Sequence, residues 1–459
     1  MGIFGFGKKK QNTKDTVEPE RSFTYSVCDR FALKDSTDVV VVGRLNGTLH
    51  VGDAVYVANP GDENTPVTVT TVAGLEQGDA NGRFTRLQEA SNMRVSVCLS
   101  NCANVNIKPG TVLHARAATV GDVHAAYINA IGDTYIQAKQ AVLTEEDLEK
   151  MSITDLAETW RLLNYVMSQK QEIPPKLHEE NYAKIGKMAE AMISKLYELD
   201  HIYVVFHKMT NEPNLYSRTI KRENGYECTP PDIMVVTEAY QSVYAKSYEN
   251  TELELRKIEN GADKKGIYNF LQTSFFVNGA QGVDFLFPQA GISSEKFMPA
   301  PDYSGMREVD IPVTNPDVER WILLLAQLGE PQTEDQKLIY RLYYGFLSRE
   351  LVKAKFVVPM RFAKGTPVRG EGDEEGTVTL KKDTTFELPL QEGKNGRKAV
   401  HFYTDWLKLR QMYEDGWDGM IQTIGQVIDV YDVVINVTKF PRAGCYISKE
   451  MFDDMKKRV

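Results

Sequence analysis

The stretch Phe440-Pro441-Arg442-Ala443-Gly444 occurs, with one change, a second time in this chain: Phe287-Pro288-Gln289-Ala290-Gly291 stands 153 residues earlier (291 to 444). Each follows an apolar run, Val283-Asp284-Phe285-Leu286 and Val433-Val434-Ile435-Asn436-Val437, and each precedes a short charged segment of helical character. The echo continues upstream at the same spacing, where Tyr203-Val204-Val205 answers Phe356-Val357-Val358 (203 to 356). Self-similarity at a fixed distance marks a structural unit used again. The second half of the chain therefore reads as one α/β domain, of α+β type with a mixed sheet, present twice. In the twin turns proline fixes φ and lacks an amide proton, while the glycine can take φ > 0. Phe287 and Phe440 are then expected to be the last buried side chains of a central strand, and Gly291 and Gly444 to be structural.

Working outward, each echoed strand is preceded by helices. Ser152-Ile153-Thr154-Asp155 and Thr314-Asn315-Pro316-Asp317 are helix starts, because a hydroxyl or amide can accept an orphan amide proton and acids suit the N-terminal dipole. Leu156, Trp160 and Leu163 recur at helical spacing in the earlier copy, and Val318, Trp321, Ile322 and Leu325 in the later one. Trp160 and Trp321 are expected on equivalent helices. Pro174-Pro175 breaks the earlier run, and Thr333 opens a second helix in the later copy. Past the strands, Thr237-Glu238 answers Thr404-Asp405, each Thr placed to cap the next helix. The later copy carries extra residues at Gly370-Glu371-Gly372-Asp373-Glu374-Glu375-Gly376, a hairpin candidate, and the earlier one recovers them near 260–266. Insertions at turns are tolerated because loop closure costs grow slowly with length. Phe386-Glu387-Leu388-Pro389-Leu390, then Lys398-Ala399-Val400-His401-Phe402-Tyr403-Thr404-Asp405-Trp406, then 435–444, resemble the enhanced serine sensitivity (SseB-like) family. The resemblance covers about 350–459, and more weakly 200–300; it implies a fold and carries no catalytic residue.

Nearer the amino end the pattern changes to period two. Phe23, Tyr25 and Val27 alternate with Thr24, Ser26 and Cys28; Val67 and Val69 with Thr68 and Thr70; Val95, Val97 and Leu99 with Ser96, Cys98 and Ser100. Alternation predicts half-buried antiparallel strands. Gly43, Asn46-Gly47, Gly52-Asp53, Pro60-Gly61 and Pro109-Gly110 supply turns, so a small closed barrel is expected. The run from Val42-Gly43-Arg44 through Val51-Gly52-Asp53-Ala54-Val55, with Ile107-Lys108-Pro109-Gly110-Thr111-Val112-Leu113 later, resembles the second domain of translational GTPases such as elongation factor Tu. That resemblance implies a docking module with Arg44 as its charged candidate. No G-x-x-x-x-G-K-[ST] loop exists to cradle phosphates, so GTPase activity is not expected.

The expected organisation is a disordered tail (1–21), the barrel (22–116), a helical linker (117–151) with starts such as Thr144-Glu145-Glu146-Asp147, and the two copies (152–301 and 314–459). The length of 459 residues suits several domains. A net charge of −9 excludes nucleic-acid binding through bulk electrostatics, though not a local RNA contact by the barrel. No apolar run approaches the ~18 residues of a membrane span. Five cysteines without C-x-x-C spacing favour reduced thiols and a cytoplasmic setting.

Chemistry is hard to find in the text. The seven histidines are scattered, His201 and His207 flank a strand too far apart for one ion, and no H-E-x-x-H occurs. Cys98 and Cys102 straddle a strand end. Asp373-Glu374-Glu375 lacks the alternation of a calcium loop. No catalytic, cofactor-binding or metal residue is assigned, and no cofactor is expected. The expected function is a non-enzymatic cytoplasmic adaptor with a protein partner. The alternatives are a small-ligand sensor or enzyme using the cleft between the copies, and a ribosome- or tRNA-associated factor.

Overall fold

The computed structural model describes residues 22–62, 65–79, 82–169, 173–288, 291–307, 310–362, 385–393, 396–414, 416–440 and 442–459. The tail 1–21 and the hairpin candidate at 370–376, including Asp373-Glu374-Glu375, lie outside them. The protein is a multidomain α+β chain that divides into two compact units, Met1–Tyr182 and Ala183–Val459. Among the described residues no helix is long and apolar enough to cross a membrane.

In the first unit six strands close into a barrel: β1 (Phe23–Ala32), β2 (Val39–His50), β3 (Ala54–Ala58), β4 (Thr68–Gly78), β5 (Arg94–Leu99) and β6 (Val112–His114). They pair in the order β1-β6-β3-β4-β5-β2 and back to β1, antiparallel throughout. Closure leaves no unpaired barrel edge to recruit another chain. Val95, Val97 and Leu99 fill the interior beside Tyr25, Val41 and Leu45. The buried Tyr25 hydroxyl donates to the Val95 carbonyl at 2.6 Å, so its polar end is satisfied.

Three local expectations change. Thr24 and Ser26 are buried along with their apolar neighbours. The cause is helix α1 (Val120–Tyr135), which packs on β1 and accepts the Ser26 hydroxyl at the Ala126 carbonyl, 2.8 Å away. Val67 and Val69 are exposed, whereas Val72 and Leu75 point inward across a register shift between Val72 and Gly74. Gly43 lies inside β2 opposite Val27 and makes no turn.

Helix α2 (Ile153–Ser168) starts with the capping box of Ser152 and Asp155. The Asp155 carboxylate is buried and takes the Lys108 ammonium and the Tyr127 hydroxyl, each at 2.8 Å. These bonds tie α2 to the barrel and to α1, and the helix belongs to the first unit. Trp160 and Trp321 therefore have different surroundings: Trp160 lies in that unit, while Trp321 in the second stacks on Phe346 with ring centres 4.6 Å apart. Helix α3 (Pro175–Glu198) begins at the expected proline break and contains the division between the units.

The second unit shows one strand plan twice. Its earlier half holds β7 (His201–His207), β8 (Asp232–Val236), α4 (Glu238–Ser247), β9 (Leu253–Glu259), α5 (Gly266–Phe276), β10 (Gly282–Phe285), β11 (Ile292–Ser293) and the short α6 (Ser294–Phe297). The later half opens with α7 (Pro316–Leu328), which starts at Asn315-Pro316 without a side-chain cap bond, and α8 (Glu334–Leu351), which has the expected Thr333 cap. It continues with β12 (Phe356–Phe362), β13 (Lys398–Phe402), α9 (Trp406–Met412), β14 (Asp418–Gln422), β15 (Asp432–Ile435), β16 (Cys445–Ile447) and α10 (Lys449–Lys457).

The earlier half runs β9-β7-β8-β10-β11. The later runs β14-β12-β13-β15-β16, with β12 joined to the end of β13 through Val357 and Tyr403. In both, only the third pairing is parallel. Directly after β10 and β15, Leu286 and Asn436 share left-handed backbone, φ 65° and 54°.

That shared bend corrects the expectation for the twin pentapeptides. Strands β10 and β15 end at Phe285 and Ile435, and the last buried side chains are Leu286 and Asn436; Phe287 and Phe440 are half-buried. Neither Gly291 nor Gly444 has φ > 0. Both are required by space: a Cβ on Gly444 would fall 2.0 Å from the Ile435 carbonyl oxygen, and one on Gly291 2.1 Å from Asp232 Oδ2. The length surplus of the earlier half is helix α5, where the later half has a three-residue 3-10 turn, Ile424–Gln426. Thr237 stands at the N-cap of α4 but makes no side-chain cap bond to that helix, while in the later half Asp405 takes the cap and Thr404 is buried.

Candidate functional site

Strands β8 and β10 run parallel in the register Asp232 to Gly282 and Met234 to Asp284. Residues on one rung of a sheet, and residues two apart on one strand, share a face. Asp232, Gly282 and Asp284 therefore look to the same side, where a cavity of about 600 Å3 opens. That is within the range that encloses small ligands. Tyr216, Ser217, Arg218, Thr229 and Pro230 line it from the connection before β8, and Gly291, Ser293 and Glu295 from the far end. The glycines make room for the acid: a Cβ on Gly282 would lie 2.6 Å from Asp232 Oδ1, in addition to the contact at Gly291.

Burial and the neighbouring Asp284 carboxylate push the Asp232 carboxyl up to about 7, against a small opposing pull from Arg218. Asp284 is itself only 4% exposed. The fold thus favours protonated Asp232. Its contribution to stability is full below the ordinary carboxylate pKa and is lost as pH rises through about 7. Asp232→Asn keeps the shape and removes the titration. The variant should outlast the wild type at pH 8 by on the order of 1–2 kcal/mol after solvent screening, with the gap closing toward pH 4. Urea midpoints at the two pH values measure this, and a pH-independent difference would exclude it.

The corresponding place in the later half is filled. There the rung pairs Ala399 with Asp432, so the acid has changed strand. Arg397 Nε binds Asp432 Oδ1 at 3.0 Å, the Tyr446 hydroxyl donates to Oδ2, and the Lys449 amide reaches Oδ1 at 3.3 Å. Pro230 precedes Asp232 by two residues as Arg397 precedes Ala399. Extending the β10–β11 and β15–β16 ladders puts Gly291 where Tyr446 stands. An arginine and a tyrosine are thus replaced by proline and glycine, and a cavity is present there.

A second charged cluster lies between the two halves. Lys408, 3% exposed, meets Glu212 at 3.0 Å, Glu319 at 3.2 Å and the side-chain oxygen Oδ1 of Asn278 at 3.3 Å. Asp405 caps α9 by accepting the Lys408 amide, and Asn436 donates to Glu319 at 2.6 Å. Burial opposes the ammonium charge, but Glu319, Glu212 and Asp405 outweigh it and hold its pKa above the ordinary value. Burial pushes the Glu319 carboxyl up as well, since one lysine cannot offset three acids. This cluster is a clamp between the halves.

The residues singled out in the sequence lie elsewhere. Arg44 pairs with Asp133 at 3.1 Å on the surface, a contact worth little. His201 binds Glu238 at 2.7 Å and His207 binds Glu252 at 3.2 Å. Cys98 and Cys102 are free thiols. Among the described residues no group of three or more His, Cys, Asp or Glu is placed to hold a metal ion. Asp232, Asp284 and Lys408 went unnoticed. The available signal was an acid inside an apolar strand, as in Val283-Asp284-Phe285, since buried acids are rare without a reason. No family model matches the chain, and no curated protein matches it.

Proposed function

We propose that the protein is a non-enzymatic adaptor that carries a small-ligand sensor in the first of two SseB-like copies. The earlier copy lies within the second unit, without helix α2, and runs to about 301; the later one spans 314–459; both follow a barrel of the elongation-factor second-domain type at 22–116. The repeated five-strand order supports the duplication, and the closed barrel supports a docking module. One observation carries the sensor reading: the cavity at Asp232 is open in one copy, while its counterpart is sealed by Arg397 and Tyr446. This cavity lies within copy 1 and replaces the inter-copy cleft as the ligand site. A cytoplasmic setting suits five cysteines that are all unpaired.

The test uses the full chain incubated with a metabolite extract, freed of unbound material and then denatured for mass spectrometry. Wild type is expected to release at least one enriched small molecule. A Gly291→Tyr variant that still unfolds in one cooperative thermal transition, or Gly291→Ala if tyrosine prevents folding, should release less. Equal release by wild type and a folded variant, or none by either, counts against the sensor.

A further inference from the structure

We propose that copy 2 carries a second ligand site, for a free aromatic α-amino acid held as its zwitterion between Arg442 and Glu330. The site shares no lining residue with the cavity at Asp232 and does not depend on the sensor reading above. It is a cavity of about 390 Å3, a size that suits one small molecule. Residues four apart share a helix face. Three such pairs wall the cavity: Ile322 and Ala326 on α7, Tyr340 and Tyr344 on α8, Met451 and Met455 on α10. The two tyrosine rings lie nearly parallel, with 8° between their planes. Tyrosine faces and methionine thioethers favour a flat aromatic body over an alkyl chain.

Charge is confined to one residue of each sign: Arg442 and Glu330 are the charged side chains of the lining, and both reach solvent. Gly329 holds them close. It ends α7 with φ 66°, and a Cβ on it would come 3.5 Å from Arg442 Nη1, so the guanidinium lies against the residue before Glu330. Arg442 keeps its bond to Glu252 through Nη1 at 2.9 Å, and a guanidinium has five donors, so that bond does not exhaust it. Arg442 is also the one residue by which the twin pentapeptides differ, Gln289 standing in its place. A fatty acid would set its charge against Glu330, and an amine against Arg442. A zwitterion with an aromatic side chain suits both charges and the wall between them.

Isothermal titration of the full chain at pH 7.5 tests this with L-phenylalanine and L-tryptophan. The analogues are 3-phenylpropionate, phenethylamine, L-alanine and acetyl-phenylalanine methylamide, which lack the ammonium, the carboxylate, the ring and both charges in turn. At least one aromatic amino acid should bind, and each analogue about tenfold or more weaker. Arg442→Gln and Glu330→Gln should each lose about tenfold for the amino acid. Glu330→Gln changes an exposed side chain and carries the test if Arg442→Gln unfolds. Equal binding of 3-phenylpropionate would make this a site for apolar acids and overturn the zwitterion. Equal binding of L-alanine would overturn the aromatic class, and equal binding of the methylamide would make the cavity a peptide-docking pocket. No binding by either aromatic amino acid would overturn the site itself, as would a loss caused by Asp232→Asn and by neither rim variant.

Discussion

Lys408→Met is expected to lower the stability of the second unit by about 3–5 kcal/mol, the usual cost of removing one partner from a buried ionic cluster. Methionine fills the volume of the lysine stem, so the loss is electrostatic. Glu212, Glu319 and Asp405 would be left facing one another without a cation, with Glu319 fully buried. Urea denaturation at pH 7.5 measures the loss. The deficit should shrink as pH falls through about 7, because burial holds the Glu319 carboxyl up to about 7 and its protonation removes one of the buried charges. Adding Glu319→Gln to Lys408→Met should restore part of it. A loss below about 1 kcal/mol would mean that water reaches the cluster and the clamp is weak.

Gly444→Val should cost on the order of 2–4 kcal/mol, through steric conflict with fixed backbone. Its Cβ would press against the carbonyl oxygens of Ile435 and Asn436, 2.0 and 2.5 Å away, where β15 passes into the left-handed bend. Those atoms cannot turn aside without breaking the β15–β16 ladder. Gly291→Val meets Asp232 Oδ2, the end of a side chain that can rotate, and should cost about half as much or less. Thermal melts of the two variants give the comparison. Equal losses would show that Asp232 is held as rigidly as backbone.

The contrast shows where sequence reading succeeds and where it stops. Local signals were legible, because a capping box such as Ser152 with Asp155, or Thr333 with Gln336, is written within four residues. The barrel was legible because alternation reports burial directly, except where another element covers the outer face, as α1 covers Thr24 and Ser26. The duplication was legible through words that mark it only approximately. The structural landmark is the bend at Leu286 and Asn436, which are unlike residues with like backbone. Asn tolerates that conformation better than Leu, so side-chain identity did not reveal the match. The cavity was not legible, since it depends on Pro230, Gly282 and Gly291 acting together, and each alone is an ordinary loop or strand residue. Helix α2 was grouped with copy 1 because sequence order does not report that Asp155 reaches Lys108.

The clamp at Lys408 also sets a timetable. Glu212 and Lys408 are 196 positions apart, so at ordinary synthesis rates the lysine follows the glutamate by roughly 10–40 s. During that interval Glu212 of the first copy has been made but its cation has not. The contact between Glu212 and Lys408 can form only once α9 is made. The clamping of the halves through Lys408 is thus a late event in the birth of the chain.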